Sequence, residues 1–319
     1  MRMLGALLFW ALTGAFHPAD VSKAAVHRLP FLCPKAEGVC FWSTRTGWQR
    51  VVASSPDFIV EFQQGSDDRL TVLLRGHGNP GNTIVVAPDG TVQAVRQNAI
   101  EGNLQRVAGV DVAGNVVLCS DTPEEARCDV FLPSRNVAGT SPWFPDGCLF
   151  PRFLSDGSRA CLQYSPNPVL LLVRGDNQVQ RISLPRELAS PDDFHALSAT
   201  RFVFRVLNAL FVFEPGAEPR EIAKDGVLWS VVSEGDILFG VYRESGQSRH
   251  WSLQRYESGK EPVELWRSNV LVPAMAHSMD GAVLLDAWGG GTRQLIRLPH
   301  RKGRPEEILW TEHSGTLWQ

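Results

Sequence analysis

Eight histidines, six cysteines and 34 acidic side chains are the groups from which this 319-residue chain would have to assemble a catalytic or metal site. Their spacing matches none of the short-range signatures: there is no G-x-S-x-G elbow, no H-E-x-x-H helix and no EF-hand loop. Gly76-His77-Gly78-Asn79-Pro80-Gly81 does spell G-x-G-x-x-G. A dinucleotide loop must open a helix whose N-terminus receives the pyrophosphate, whereas strand-like Thr83–Ala87 follows here, so the segment reads as a hairpin. Gly289-Gly290-Gly291 reads as a turn that needs positive φ. No cofactor and no metal is expected.

The histidines stand singly, and a lone histidine is more often satisfied within a core than a ligand. His195 and His277 fall shortly before a repeated turn, near the ends of predicted inner strands, from where an imidazole could bind a metal or shift a proton at a central channel. Carboxylates from different repeats can meet at such a channel whatever their spacing. That leaves a two-carboxylate glycosidase open, although the S-x-D-x-G-x-T-W box of sialidases is missing. His300-Arg301-Lys302-Gly303-Arg304, beside Glu306 and Glu307, reads as a solvated basic hairpin. Two tryptophans are better placed for binding. Trp143, with Phe144 and Asp146, lies in the proline-bracketed segment 142–146, and Trp288 stands beside the glycine turn. Aromatic side chains on loops over a rigid scaffold are favoured anchors.

The cysteines fall at 33, 40, 119, 128, 148 and 161, as three close pairs in the first half of the chain. Local bridges Cys33–Cys40, Cys119–Cys128 and Cys148–Cys161 fit these spacings, and no pair has the C-x-x-C spacing of a redox or zinc site. Disulfides persist in exported proteins, and the N-terminus agrees. Residues 1–24 carry Arg2, then the apolar run Leu4–Phe16, then small residues at Ala15 and Ala24, the three-part pattern of a signal peptide cleaved after Ala24 or Ala15. The run is too short to span a bilayer as a helix, which takes roughly 20 residues. The expectation is an exported chain, periplasmic or extracellular, with no transmembrane segment in its mature form. With 31 basic against 34 acidic residues, the formal charge of −3 lacks the basic excess by which a nucleic-acid binder displaces counterions. No nucleic-acid partner is expected.

Positioning these groups falls to a repeat. Ser66-Asp67-Asp68, Val112-Ala113-Gly114, Ser155-Asp156-Gly157, Ser198-Ala199-Thr200, Ser233-Glu234-Gly235 and Ser278-Met279-Asp280-Gly281 each precede a short apolar run. They recur about every 43 residues, the length of one four-stranded propeller blade. The runs are bounded by Gly, Pro, Asn or Asp and show almost no helical periodicity. Trp266 and Trp310 hold equivalent places near the ends of their copies, in the expected outer strand. The remnants, 24–56 and 311–319, together have the length of one further blade. Thr316–Trp318 would be its inner strand, with outer strands from Val26–Cys33, Val39–Ser43 and Trp48–Ala53. Joining the two ends in one blade closes the ring and removes its free edges. The expectation is all-β: residues 25–319 as a single β-propeller domain, with seven blades preferred and six as the alternative if the N-terminal segment is only a decoration.

The S-x-D-G turn leading into a strand–turn–strand unit resembles the TolB-like, WD-type propeller repeats of bacterial envelope proteins. The likeness covers about residues 57–310 and is closest at 155–184 and 278–310, although the Pro of their S-P-D-G turn is replaced or missing at every copy. The resemblance implies the propeller fold and permits binding of other envelope proteins. On this reading the chain is an exported, non-catalytic binding scaffold for a protein partner in the envelope or outside the cell, or a subunit of a larger envelope assembly. The alternative is a channel-centred enzyme acting on a glycan or another small polar substrate.

Overall fold

Short runs rich in Val, Leu and Phe pair into antiparallel meanders throughout the residues that the computed structural model describes. These are 29–43, 45–54, 59–64, 69–76, 79–97, 105–110, 116–120, 128–132, 137–140, 148–154, 156–163, 167–175, 178–233, 236–246, 248–279, 281–299 and 306–313. The first sheet has three strands, β1 (Leu29–Leu32), β2 (Gly38–Ser43) and β3 (Gly47–Ala53). Six four-stranded blades follow. The first holds β4 (Ile59–Gln64), β5 (Leu70–Gly76), β6 (Asn79–Val86) and β7 (Val92–Gln97). The second holds β8 (Gln105–Val110), β9 (Val116–Ser120), β10 (Cys128–Leu132) and β11 (Val137–Thr140). The third holds β12 (Leu149–Phe153), β13 (Arg159–Gln163), β14 (Val169–Val173) and β15 (Val179–Ser183). The fourth holds β16 (Asp193–Ser198), β17 (Arg201–Val206), β18 (Ala209–Phe213) and β19 (Arg220–Ala223). The fifth holds β20 (Val227–Ser233), β21 (Asp236–Ser245), β22 (Ser248–Tyr256) and β23 (Val263–Ser268). The sixth holds β24 (Val272–Met279), β25 (Ala282–Gly289), β26 (Thr292–Pro299) and β27 (Glu307–His313).

Each repeated turn of the sequence falls between the first and second strands of a blade. The first strands are inner: β4 touches β8, β8 touches β12, and so on to β20 and β24. The last strands are outer and the most exposed, as in β15 and β23. The second strands are sandwiched between neighbouring blades, so residues 282–287 of β25 are buried on both sides of the sheet. Apolar packing of this kind joins the third to the sixth blades in turn and sets the N-terminal sheet against the first and sixth blades. Between the third and fourth blades Leu162, Leu170 and Leu172 meet Phe194, Phe202 and Phe204. Each of those phenylalanines is fully buried, and burial of such a ring contributes on the order of 2–3 kcal/mol. In every meander the blade-to-blade connection and the turn between second and third strands lie on one face, called the connection face below. The other two turns lie on the opposite, or turn, face.

The preferred count of seven blades is corrected to six, the stated alternative. The N-terminal residues form three paired strands and not a full blade, and Thr316–Trp318, the expected fourth, lies outside the described residues. Closure of the ring by that strand lies outside them too. The three-stranded sheet is nevertheless integral. Phe31 and Trp42 pack against Leu284 and Leu295 of the sixth blade, while Val39, Phe41 and Val52 pack against Leu70, Val72 and Leu74 of the first. Its direction is also informative. Arg293, at the start of β26 on the connection face, donates to the carbonyls of Leu32 and Cys33 at the end of β1, whereas Pro30 lies beside His277, well along β24. β1 thus runs against the inner strands, as second strands do.

Cys33–Cys40 clips the β1–β2 hairpin and Cys148–Cys161 joins neighbouring strands of the third blade, as expected from spacing. Cys119 and Cys128 stand directly opposite in the β9–β10 register. The G-x-G-x-x-G segment joins β5 to β6, with Gly76 paired to Asn79, and Gly290 and Gly291 both take positive φ in the β25–β26 turn. Trp266 and Trp310 occupy matching outer-strand places, opposite Leu253 and Leu295.

Candidate functional site

The inner strands are tied to one another by polar side chains that reach the backbone of the next strand. Arg152 of β12 donates from Nε to the Phe194 carbonyl at 3.0 Å, stacks over the Phe194 ring, and pairs with Asp193 Oδ1 at 2.6 Å. His195 of β16 bonds the Ser230 backbone of β20. Trp229 of β20 donates to the Pro273 carbonyl of β24 at 2.7 Å, and His277 of β24 meets the Pro30 backbone and stacks edge-on against Phe31. These contacts satisfy backbone groups that the narrow end of each sheet would otherwise leave unpaired.

Both sequence-selected histidines therefore sit on inner strands, each engaged with the next sheet. Burial holds the His277 imidazole down to about 4 and keeps it neutral. Burial also lowers His195, opposed by the neighbouring Asp193 carboxylate and reinforced by Arg152. Asp193 lies 3.6 Å from His195 Nε2. Burial works against the Asp193 carboxylate, but Arg152, His195 and the Phe194 N–H together hold it below its ordinary range. Neither histidine's Nε2 has a hydrogen-bond partner among the described residues. Arg152, Asp193, His195 and Arg205, whose guanidinium reaches the Leu228 carbonyl at 3.0 Å, make a polar cluster at the inner end of the third-to-fifth blades.

Trp288 is on the connection face, as a loop anchor should be, but it is not free. Its Nε1 donates to Asp286 Oδ1 at 2.6 Å and its ring lies 4.9 Å from the Arg293 guanidinium, which is also flanked by Trp48 and Trp310. Burial raises the Asp286 carboxyl, and its hydrogen bonds from Arg293 oppose that shift. Trp143, Phe144 and Asp146 lie outside the described residues.

Sequence reasoning missed another group on the connection face. Leu207 is the first residue of the two-residue turn between β17 and β18, at φ 54°, with 76% of its surface exposed. Hairpins ordinarily put Gly at such a position. Leu228 and Val270, 39% and 61% exposed, occupy the same face. Leu228 is held next to the Leu207 turn, because Val227 N–H donates to the Asn208 carbonyl. Beside them the β21–β22 hairpin extends past both neighbouring strands and pairs Tyr242 with Trp251, their rings 5.6 Å apart. The one available signal was Leu-Asn where a two-residue hairpin with positive φ at its first turn residue takes Gly-Asn.

No protein-family model matches the sequence, and no curated protein matches it. Solved structures do. The β-propeller domain of the Trilobed protease from Pyrococcus furiosus, described as having an open velcro topology, superposes with a TM-score of 0.56 at 11% identity, over 89% of this chain and 91% of that one. The fold is a β-propeller. A catalytically inactive virginiamycin B lyase from Staphylococcus aureus, bound to quinupristin, superposes with a TM-score of 0.52 at 12% identity, over 80% of this chain and 85% of that one. TolB from Acinetobacter baumannii is also similar, at 13% identity over 86% of this chain and 76% of that one, but its TM-score of 0.47 is too low to argue from. The resemblance seen in the S-x-D-G turns thus holds at the level of the fold. At such identities the likeness says nothing of activity. No helix among the described residues is long and apolar enough to cross a membrane.

Proposed function

We propose that this β-propeller is an exported, non-catalytic scaffold that binds a protein partner through its connection face. The observation that carries the reading is Leu207: an apolar side chain held in solvent on a backbone conformation that disfavours it, next to Leu228 and on the same face as Val270. The two disulfides are compatible with export. The test compares the oxidised wild-type protein with a Leu207→Gly/Val270→Ser variant as bait for envelope and culture-fluid proteins, read by quantitative mass spectrometry. Proteins enriched by the wild type should be lost from the variant, while the variant melts no lower than the wild type. Equal capture by the two, or no enrichment at all, removes the proposal.

A second reading, chemistry at the inner end of the blades on a small polar substrate, is favoured by the Asp193–His195 pair beside Arg152. His195→Gln with Asp193→Asn would abolish such an activity and leave protein capture unchanged.

Closure of the ring belongs to the same proposal, because a scaffold gains rigidity from it. β1, β2 and β3 fill the places of second, third and fourth strands, and no described strand pairs with the inner edge of β1. β27 ends at His313 on the connection face, where inner strands begin. Residues 314–319 follow directly and are our choice for that edge. The open topology described for the Pyrococcus propeller is the alternative.

A further inference from the structure

A groove of about 460 Å³ opens on the turn face, along the seam between the third and fourth blades. It is within the size range of small-molecule sites, about 300–1,000 Å³. Its floor is apolar: Ile182 belongs to the buried core of that seam and Ala199 packs on it. The third blade contributes Arg174 and Asp156 to one wall, and the fourth blade contributes Glu214 to the other.

Their existing bonds leave capacity toward a ligand. Among the described residues the Arg174 side chain makes one long hydrogen bond, 3.5 Å to Gln180 Oε1. Asp156 accepts the Ser158 N–H on Oδ1, and Glu214 is held from its own blade by Arg201 at 3.2 Å on Oε1. Among the described residues the charges at the groove balance, Arg174 and Arg201 against Asp156 and Glu214, but they are dipolar in arrangement, with a cation on one wall and carboxylates on both. Among the described residues no aromatic ring lines it for a sugar or base to stack on, and no group of three metal-ligating side chains occurs.

We propose that this groove binds a zwitterionic ligand of the amino-acid class, a free amino acid or short unblocked peptide with apolar side chains. Its carboxylate pairs with Arg174, its ammonium group with Glu214 and Asp156, and its side chain covers Ile182 and Ala199. Charge-assisted pairs of this kind are the stronger polar contacts available to a small ligand, and both ends must be charged for both to form.

The experiment is isothermal titration calorimetry of the oxidised full-length protein with the dipeptide Leu-Leu and with its N-acetylated, C-amidated form. The dipeptide should bind saturably with a Kd on the order of 1 mM or tighter, and the blocked form should not bind. Arg174→Gln should weaken binding at least about tenfold, as should Asp156→Asn combined with Glu214→Gln. Asn keeps the acceptor for Ser158 N–H, and none of the three sites is in the core, so the variants should melt with the wild type. Absence of Leu-Leu binding, equal binding of the blocked peptide, or equal binding by the variants overturns the proposal. The groove is on the face opposite Leu207, so Leu207→Gly/Val270→Ser should leave this titration unchanged.

Discussion

A leucine at positive φ with its side chain in solvent bears two costs at once, a backbone penalty on the order of 1 kcal/mol and an apolar surface that folding does not bury. Glycine at Leu207 relieves the first and deletes the second, which is why that variant separates binding from stability. His277 is a residue-scale device of a different kind. It is neutral and buried, with its pKa held down to about 4 against an ordinary 6.5. The unfolded chain takes up a proton between those two values and the folded chain does not, so stability present above pH 6.5 is lost as the pH falls toward 4. The loss approaches about 1.4 kcal/mol per pH unit within that window. Replacing His277 by Phe keeps a ring against Phe31 and removes the titration. Thermal melts from pH 7 to 4 should therefore fall less steeply for His277→Phe than for the wild type, and parallel curves would refute the assignment.

At the scale of elements, the junction between the N-terminal sheet and the sixth blade depends on one guanidinium. Arg293, buried among Trp48, Trp288 and Trp310, forms a bidentate pair with Asp286 and donates to two carbonyls at the end of β1, 260 residues away in the sequence. The Cys33–Cys40 bridge begins at one of the two residues whose carbonyls Arg293 bonds. Arg293→Ala leaves a buried carboxylate without its partner, a change that typically costs 3–5 kcal/mol. Urea unfolding should show a loss of about that size at pH 8, and the loss should shrink as the pH is lowered, because burial raises the stripped Asp286 carboxyl and protonation removes its unpaired charge. Lysine would not rescue, because a point charge cannot serve the carboxylate fork and both carbonyls together.

For the whole molecule the decisive question is whether the sheet at the N-terminus is joined to the C-terminal residues. If residues 314–319 pair with the inner edge of β1, deleting them exposes a strand edge where the ring closes. The truncated protein should melt several degrees lower, and amide exchange should accelerate in β1 and β24 more than in the third and fourth blades. An unchanged melt with unchanged exchange would mean an open ring.

Much of this architecture was legible in the sequence because it is local. Turn chemistry, apolar runs of strand length and close cysteine pairs each act within a few residues, and their recurrence about every 43 residues specified blades. The placement of Arg159, Arg201 and Ala282 at the starts of second strands followed from the turns alone. Sites were far less legible. His195 and His277 were recognised as inner-strand residues, but their backbone partners on the next sheet were not, and Trp288 showed no sign of its bond to Asp286. Arg174 and Glu214 come from different blades and meet only across a seam. The sequence by itself determined the repeat, its strands and its bridges, since those depend on hydrogen bonding and hydrophobic alternation between neighbours in the chain. Only the tertiary structure decided which charges share a groove and which apolar residues are left uncovered, because blades meet through side chains whose sequence separation carries no record of their distance.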